Sequence, residues 1–133
     1  ATWLAGGIVP FEPFLETFDE GLPDTWTVID GGSNAFTWMW LETDAGNTLD
    51  GTPFMMADSD AAGSGSQSDE ILISPVIENT ESADALFIEF DQYYNNLSTT
   101  NEWADVDFGM ETSGLMYYIK QLMLVHGLHL TTR

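Results

Sequence analysis

The chain has no cysteine and almost no positive charge: its 133 residues carry Lys120 and Arg133 against 22 carboxylates, a formal net charge of −20. The missing cysteine excludes a disulfide framework and thiol chemistry, and it leaves the compartment open. The missing cations exclude more, because residues 1–119 contain no basic side chain at all. A surface of that kind repels phosphate backbones and anionic lipid, so nucleic acid is excluded as a partner. No stretch approaches the roughly 20 apolar residues of a membrane span, so membrane insertion is not expected. Neither Met nor a basic n-region precedes Ala1-Thr2-Trp3. The chain therefore reads as a piece of a longer exported protein from which any signal peptide is absent.

What is present points to a packed core. The chain is 44% hydrophobic, with 5 Trp, 8 Phe and 4 Tyr, and the acids are interleaved with these residues. Disordered acidic chains lack such aromatics. The length suits one domain. Ala1 to Pro13 reads as a linker, with two prolines and no period. From there short apolar runs alternate with turn residues, which is an all-β pattern. Strands are expected around Trp26–Ile29, Phe36–Leu41, Phe54–Ala57, Ile71–Ser74, Leu86–Asp91 and Trp103–Phe108. Leu86, Ile88 and Phe90 alternate with Phe87 and Glu89; Ala104, Val106 and Phe108 alternate with Asp105 and Asp107. Half-buried antiparallel strands have this period, and no helical insert separates them, so an antiparallel β-sandwich is expected.

No Gly-x-Ser-x-Gly elbow, P-loop or dinucleotide fingerprint occurs. Among 22 acids a glycosidase-like pair carries no information. The chain is therefore expected not to be an enzyme. So many carboxylates repel one another unless cations sit among them, and calcium takes six to eight oxygens. Asp58-x-Asp60 beside a Gly/Ser loop is the best metal motif, with Asp44 and Asp50 on the Gly-rich segment before the third strand. The competing reading is that these are turn acids bonded to their own backbone. Turn chemistry alone also accounts for Asp30-Gly31-Gly32-Ser33-Asn34. Trp38 and Trp40 are expected in the core rather than on a sugar-stacking face. Tyr93 and Tyr94, leaving a strand for a loop, are the expected ligand-binding pair. His126-Gly127-Leu128-His129 lacks a third ligand at a known spacing for zinc.

Several segments together resemble one family. Glu16-Thr17-Phe18-Asp19-Glu20-Gly21-Leu22-Pro23-Asp24-Thr25-Trp26-Thr27-Val28-Ile29-Asp30 is similar to the opening of the cleaved-adhesin and choice-of-anchor-J domains, relatives of the MAM domain. Ala57-Asp58-Ser59-Asp60-Ala61-Ala62-Gly63, Asp69-Glu70-Ile71-Leu72-Ile73-Ser74-Pro75 and Leu86-Phe87-Ile88-Glu89-Phe90-Asp91-Gln92-Tyr93-Tyr94 resemble later segments in the same order. The match covers about residues 14–108. The resemblance implies a jelly-roll-like sandwich and a calcium-stabilised, non-catalytic adhesion module, as in the gingipain proteases. It adds Asp19, the acid beside the opening aromatic, to the calcium set. It also implies secretion or cell-surface display, with an extracellular glycan or protein and the parent chain's other domains as partners. The alternative is a structural spacer beside a secreted protease or other hydrolase.

Residues 109–133 depart from the family, with an apolar run carrying the only Lys of the first 132 residues and both His. Leu115, Ile119 and Leu122 have helical spacing there. The genetic code suggests a cause. Reading the last base of each codon with the first two of the next, Met110-Glu111 must give Gly, Met116-Tyr117 Val and Tyr117-Tyr118 Leu. Allowed choices elsewhere give, from Phe108 on, Trp-Asn-Gly-Asn-x-Trp-Val-Asn-Val-Leu-Tyr-Lys-Thr-Thr-Asp-Ala-Gly-Ala-Trp-Ser. That string has the turn, strand and acidic loop expected next in this family. The tail is therefore expected to be a frameshift product, and the sandwich to lack its C-terminal strands.

Overall fold

The computed structural model describes residues 7, 9–33, 36–43, 51–58, 61, 63, 65–94, 104–111, 114–120 and 124–132, and from residue 110 onward the backbone alone. The strands are β1 (Phe14–Glu16), β2 (Thr27–Asp30), β3 (Met39–Leu41), β4 (Phe54–Met56), β5 (Glu70–Ile73), β6 (Ile77–Glu78), β7 (Leu86–Tyr93), β8 (Asp105–Glu111), β9 (Gly114–Lys120) and β10 (Leu124–Thr132). A 3-10 turn, Thr80–Ser82, lies between β6 and β7.

Two five-stranded sheets result, and every pairing is antiparallel. In the first, β7 runs along one edge of β10, β1 and β4 share the other, and β3 follows β4. In the second, β8 runs along one edge of β9, β5 and β6 share the other, and β2 follows β5. Phe14, Trp38, Met55, Ile88 and Phe90 from the first sheet side meet Val28, Leu72, Ile77 and Val106 from the second in one core. That shared core makes the all-β antiparallel sandwich.

Alternation places β7 as expected, with Leu86, Ile88 and Phe90 turned inward and Phe87, Glu89 and Asp91 exposed. Trp38 is buried, and half-buried Trp40 donates its indole N–H to the Phe18 carbonyl at 2.7 Å. Phe108 departs from the expected alternation and is exposed. The segment read as linker is also not all free, because Phe11 packs on the core and its N–H donates to Ser82 Oγ at 2.6 Å.

The expected missing strands are occupied: 114–120 and 124–132 run as β9 and β10 through the middle of the two sheets. Leu115 and Ile119, which have helical spacing, are paired in β9 instead, and Leu122 lies outside the described residues. The physical reason is that ladder bonds use main-chain groups common to every residue except proline, and no proline follows Pro75.

Gly31 and Gly32 carry the β2–β5 ladder into the adjoining turn. Gly31 N–H donates to the Asp69 carbonyl at 3.1 Å and Ser33 N–H to the Gln67 carbonyl at 2.7 Å. A Cβ on Gly32 would lie 2.5 Å from the Gln67 carbonyl oxygen. Gly32→Ala is therefore expected to cost about 2–3 kcal/mol in urea unfolding, as overpacking against backbone does. Gly7→Ala, with nothing within 4 Å of the added carbon, serves as the neutral control.

Candidate functional site

The acids proposed for calcium divide by position. Asp44, Asp50 and Asp60 lie outside the described residues. Asp19 follows the end of β1 in a turn, rather than lying on the strand itself. There Thr17 Oγ1 donates to Asp19 Oδ2 at 2.9 Å, and Phe18 N–H donates to Glu16 Oε1 at 2.7 Å. Asp58 Oδ1 accepts the Ala61 N–H at 3.0 Å, the local bond by which Asp stabilises a turn. Among the described residues no three acids or imidazoles converge as a metal cluster.

The aromatic pair divides too. Tyr93, the last residue of β7, is 41% exposed, whereas Tyr94 is half-buried. Tyr93 belongs to a larger surface that motif reading missed. On β7 it shares the outward face with Phe87, also 41% exposed, and with the exposed acids Glu89 and Asp91. Across β10, register sets Leu15 beside His129 and His129 beside Glu89, which brings Leu15, 61% exposed, onto the same outer face. The outer surface of the first sheet thus presents Leu15, Phe87 and Tyr93 interspersed with carboxylates. The signal was in the sequence: the alternation that turns Ile88 and Phe90 inward turns Phe87 outward.

A second polar arrangement lies where the β2 turn meets the start of β5. Glu70 is buried there, and its Oε1 would lie 2.8 Å from a Cβ on Gly32. Its Oε2 is buried with no hydrogen-bond partner among the described residues.

A family model described as Cleaved Adhesin Domain matches residues 12–114. Among solved structures, the K1 cleaved adhesin domain of Lys-gingipain from Porphyromonas gingivalis W83 is similar in fold, with a TM-score of 0.53 at 10% identity, covering 92% of this chain and 99% of that one. No curated protein matches the chain. The family match ends as β9 begins, shortly after the position where the sequence departs from the family pattern.

Proposed function

The chain belongs to the cleaved adhesin domain family, and we propose that it works as a non-catalytic adhesion module of a larger secreted or surface-displayed protein. The observation that carries this reading is the outer face of the first sheet. Exposed Leu15, Phe87 and Tyr93 form an apolar and aromatic surface on one sheet, with Glu89 and Asp91 between them. Aromatic side chains stack on sugar rings or fill protein pockets, and neighbouring carboxylates accept hydroxyl or N–H hydrogen bonds. The partner is accordingly an extracellular glycan or protein. Calcium is proposed as a structural ion, held by acids from the set Asp19, Asp44, Asp50, Asp58 and Asp60.

Substituting Phe87 and Tyr93 together by Ser is expected to weaken partner binding by roughly tenfold or more, as loss of interface anchors does. Far-UV circular dichroism is expected to stay unchanged, because both rings project from the outer face. Glycan arrays and pull-downs from host extracellular matrix supply the binding readout. Full binding in the double variant would remove this surface from consideration. The resemblance to the adhesion modules of the gingipain proteases makes an accessory place beside a hydrolase the second reading. A hydrolase domain encoded next to this segment, together with no binding in either assay, would favour it.

A further inference from the structure

β7 runs for 8 residues with β10 along one side, and among the described residues no strand runs along its other side. A strand edge of that length offers a ladder of main-chain N–H and C=O groups to another extended chain. Proteins blunt such edges with short strands, proline, bulges or charge. β7 is not short and holds no proline, and the shift in its register with β10 adds a residue to β10, between His126 and Leu128. What β7 has is charge. Glu89 and Asp91 alternate on its exposed face, flanked by Phe87 and Tyr93. Ile88 and Phe90 pack on the core yet stay half-buried, as expected at the margin of a sandwich.

That charge selects the occupant. A second copy pairing β7 with β7 would gather both Glu89–Asp91 pairs on one face, and each copy carries a net charge of −20. Residues 1–119 hold no basic side chain to offset them. A sugar has no main-chain ladder to add.

We infer that β7 takes up an extended segment of a protein partner by strand addition, with Lys or Arg at alternate positions facing Glu89 and Asp91. The intervening apolar side chains of that segment turn inward and extend the cover over Ile88 and Phe90. Phe87 and Tyr93 lie against the alkyl stems and charged heads of the basic residues. The inference rests on the adhesion reading of this face and names its partner's chemistry, an extended basic protein segment.

The test uses the full chain and a synthetic peptide as long as β7, with Lys and Val in alternation. Calorimetric titration at low salt is expected to show binding, and hydrogen exchange to show slower β7 amides in the complex. The same peptide with methylated backbone nitrogens keeps the charge and loses the ladder donors; it is expected to bind at least about tenfold more weakly. Equal binding of the two peptides, or unchanged β7 exchange, overturns the inference, because charge alone would then hold the peptide. Glu89→Gln/Asp91→Asn is expected to weaken binding by roughly threefold to tenfold, as loss of two cross-strand charge pairs does. Asp105→Asn/Asp107→Asn removes the same charge from β8, an edge strand of the second sheet with exposed acids at the same spacing, and is expected to change binding less than about twofold. A larger loss at β8 than at β7 also overturns the inference. The peptide comparison needs no variant to fold. No binding of the Lys/Val peptide, while the Phe87/Tyr93 variant still loses its partner, ends strand addition and leaves the adhesion reading in place. Peptide binding by β7 with no partner in arrays or pull-downs does the reverse.

Discussion

Replacing Phe18 by alanine is expected to remove about 3–5 kcal/mol of folding stability, the range for deleting a large buried ring. Phe18 is fully buried and meets Trp26 edge-on, with ring centroids 5.1 Å apart. Its carbonyl also accepts the Trp40 indole N–H. Its backbone is left-handed, with φ 58°, a conformation that costs an ordinary residue about 1–2 kcal/mol. The ring holds that backbone in place. Alanine keeps the backbone cost and loses the ring, whereas glycine loses both. Phe18→Gly is therefore expected to be more stable than Phe18→Ala by about 1 kcal/mol, reversing the usual order. Urea unfolding followed by tryptophan fluorescence reads both values. Phe108→Ala, at an exposed position, is expected to change stability by no more than about 0.5 kcal/mol. Equal losses at Phe18 and Phe108, or alanine above glycine at position 18, would contradict this account of the core.

The same contrast shows what in this fold is written locally. The β7 alternation is a property of eight successive residues, so Ile88 and Phe90 could be placed inward and Phe87 outward without knowing any partner strand. Gly31-Gly32 reads as a turn for the same reason, although the close approach of Gln67 and Asp69 that requires glycine joins residues more than thirty positions apart. Glu70 was illegible. In sequence it continues the acid run from Asp69, and only the pairing of β2 with β5 buries it. β1 has no local signal, because three residues carry no period and its partner is β10, at the far end of the chain; only the family resemblance points to an entry strand there. Tyr93 and Tyr94 look equivalent in sequence, and the end of β7 separates them into an exposed ring and a half-buried one.

Sequencing the parent DNA is expected to read TGG across the codons of His126 and Gly127, as the frameshift origin of the tail requires. The structure shows how such a tail can still occupy strands. In β9, register sets Ile119 between Leu72 and Val106 and Lys120 between Ile71 and Asp105; in β10, it sets Leu130 between Phe14 and Ile88. Main-chain pairing and a chance apolar alternation meet those requirements, but side-chain packing in a core is far more demanding than either. A chain carrying the shifted-frame string from residue 108 on is therefore expected to be more stable, on the order of 5 kcal/mol. That is comparable to repairing one or two large core deletions at about 2–5 kcal/mol each, and a large share of a domain's total of about 5–15. The two chains are compared by thermal melting and by hydrogen exchange. The present tail should leave β7 and β1 fast-exchanging, because both depend on β10 for their ladder bonds. The shifted-frame chain should protect them. A CGG triplet at His126–Gly127 removes the proposed Trp, and slow exchange of β7 in the present chain shows that β10 packs as evolved sequence. Either result assigns residues 109–133 to the native domain.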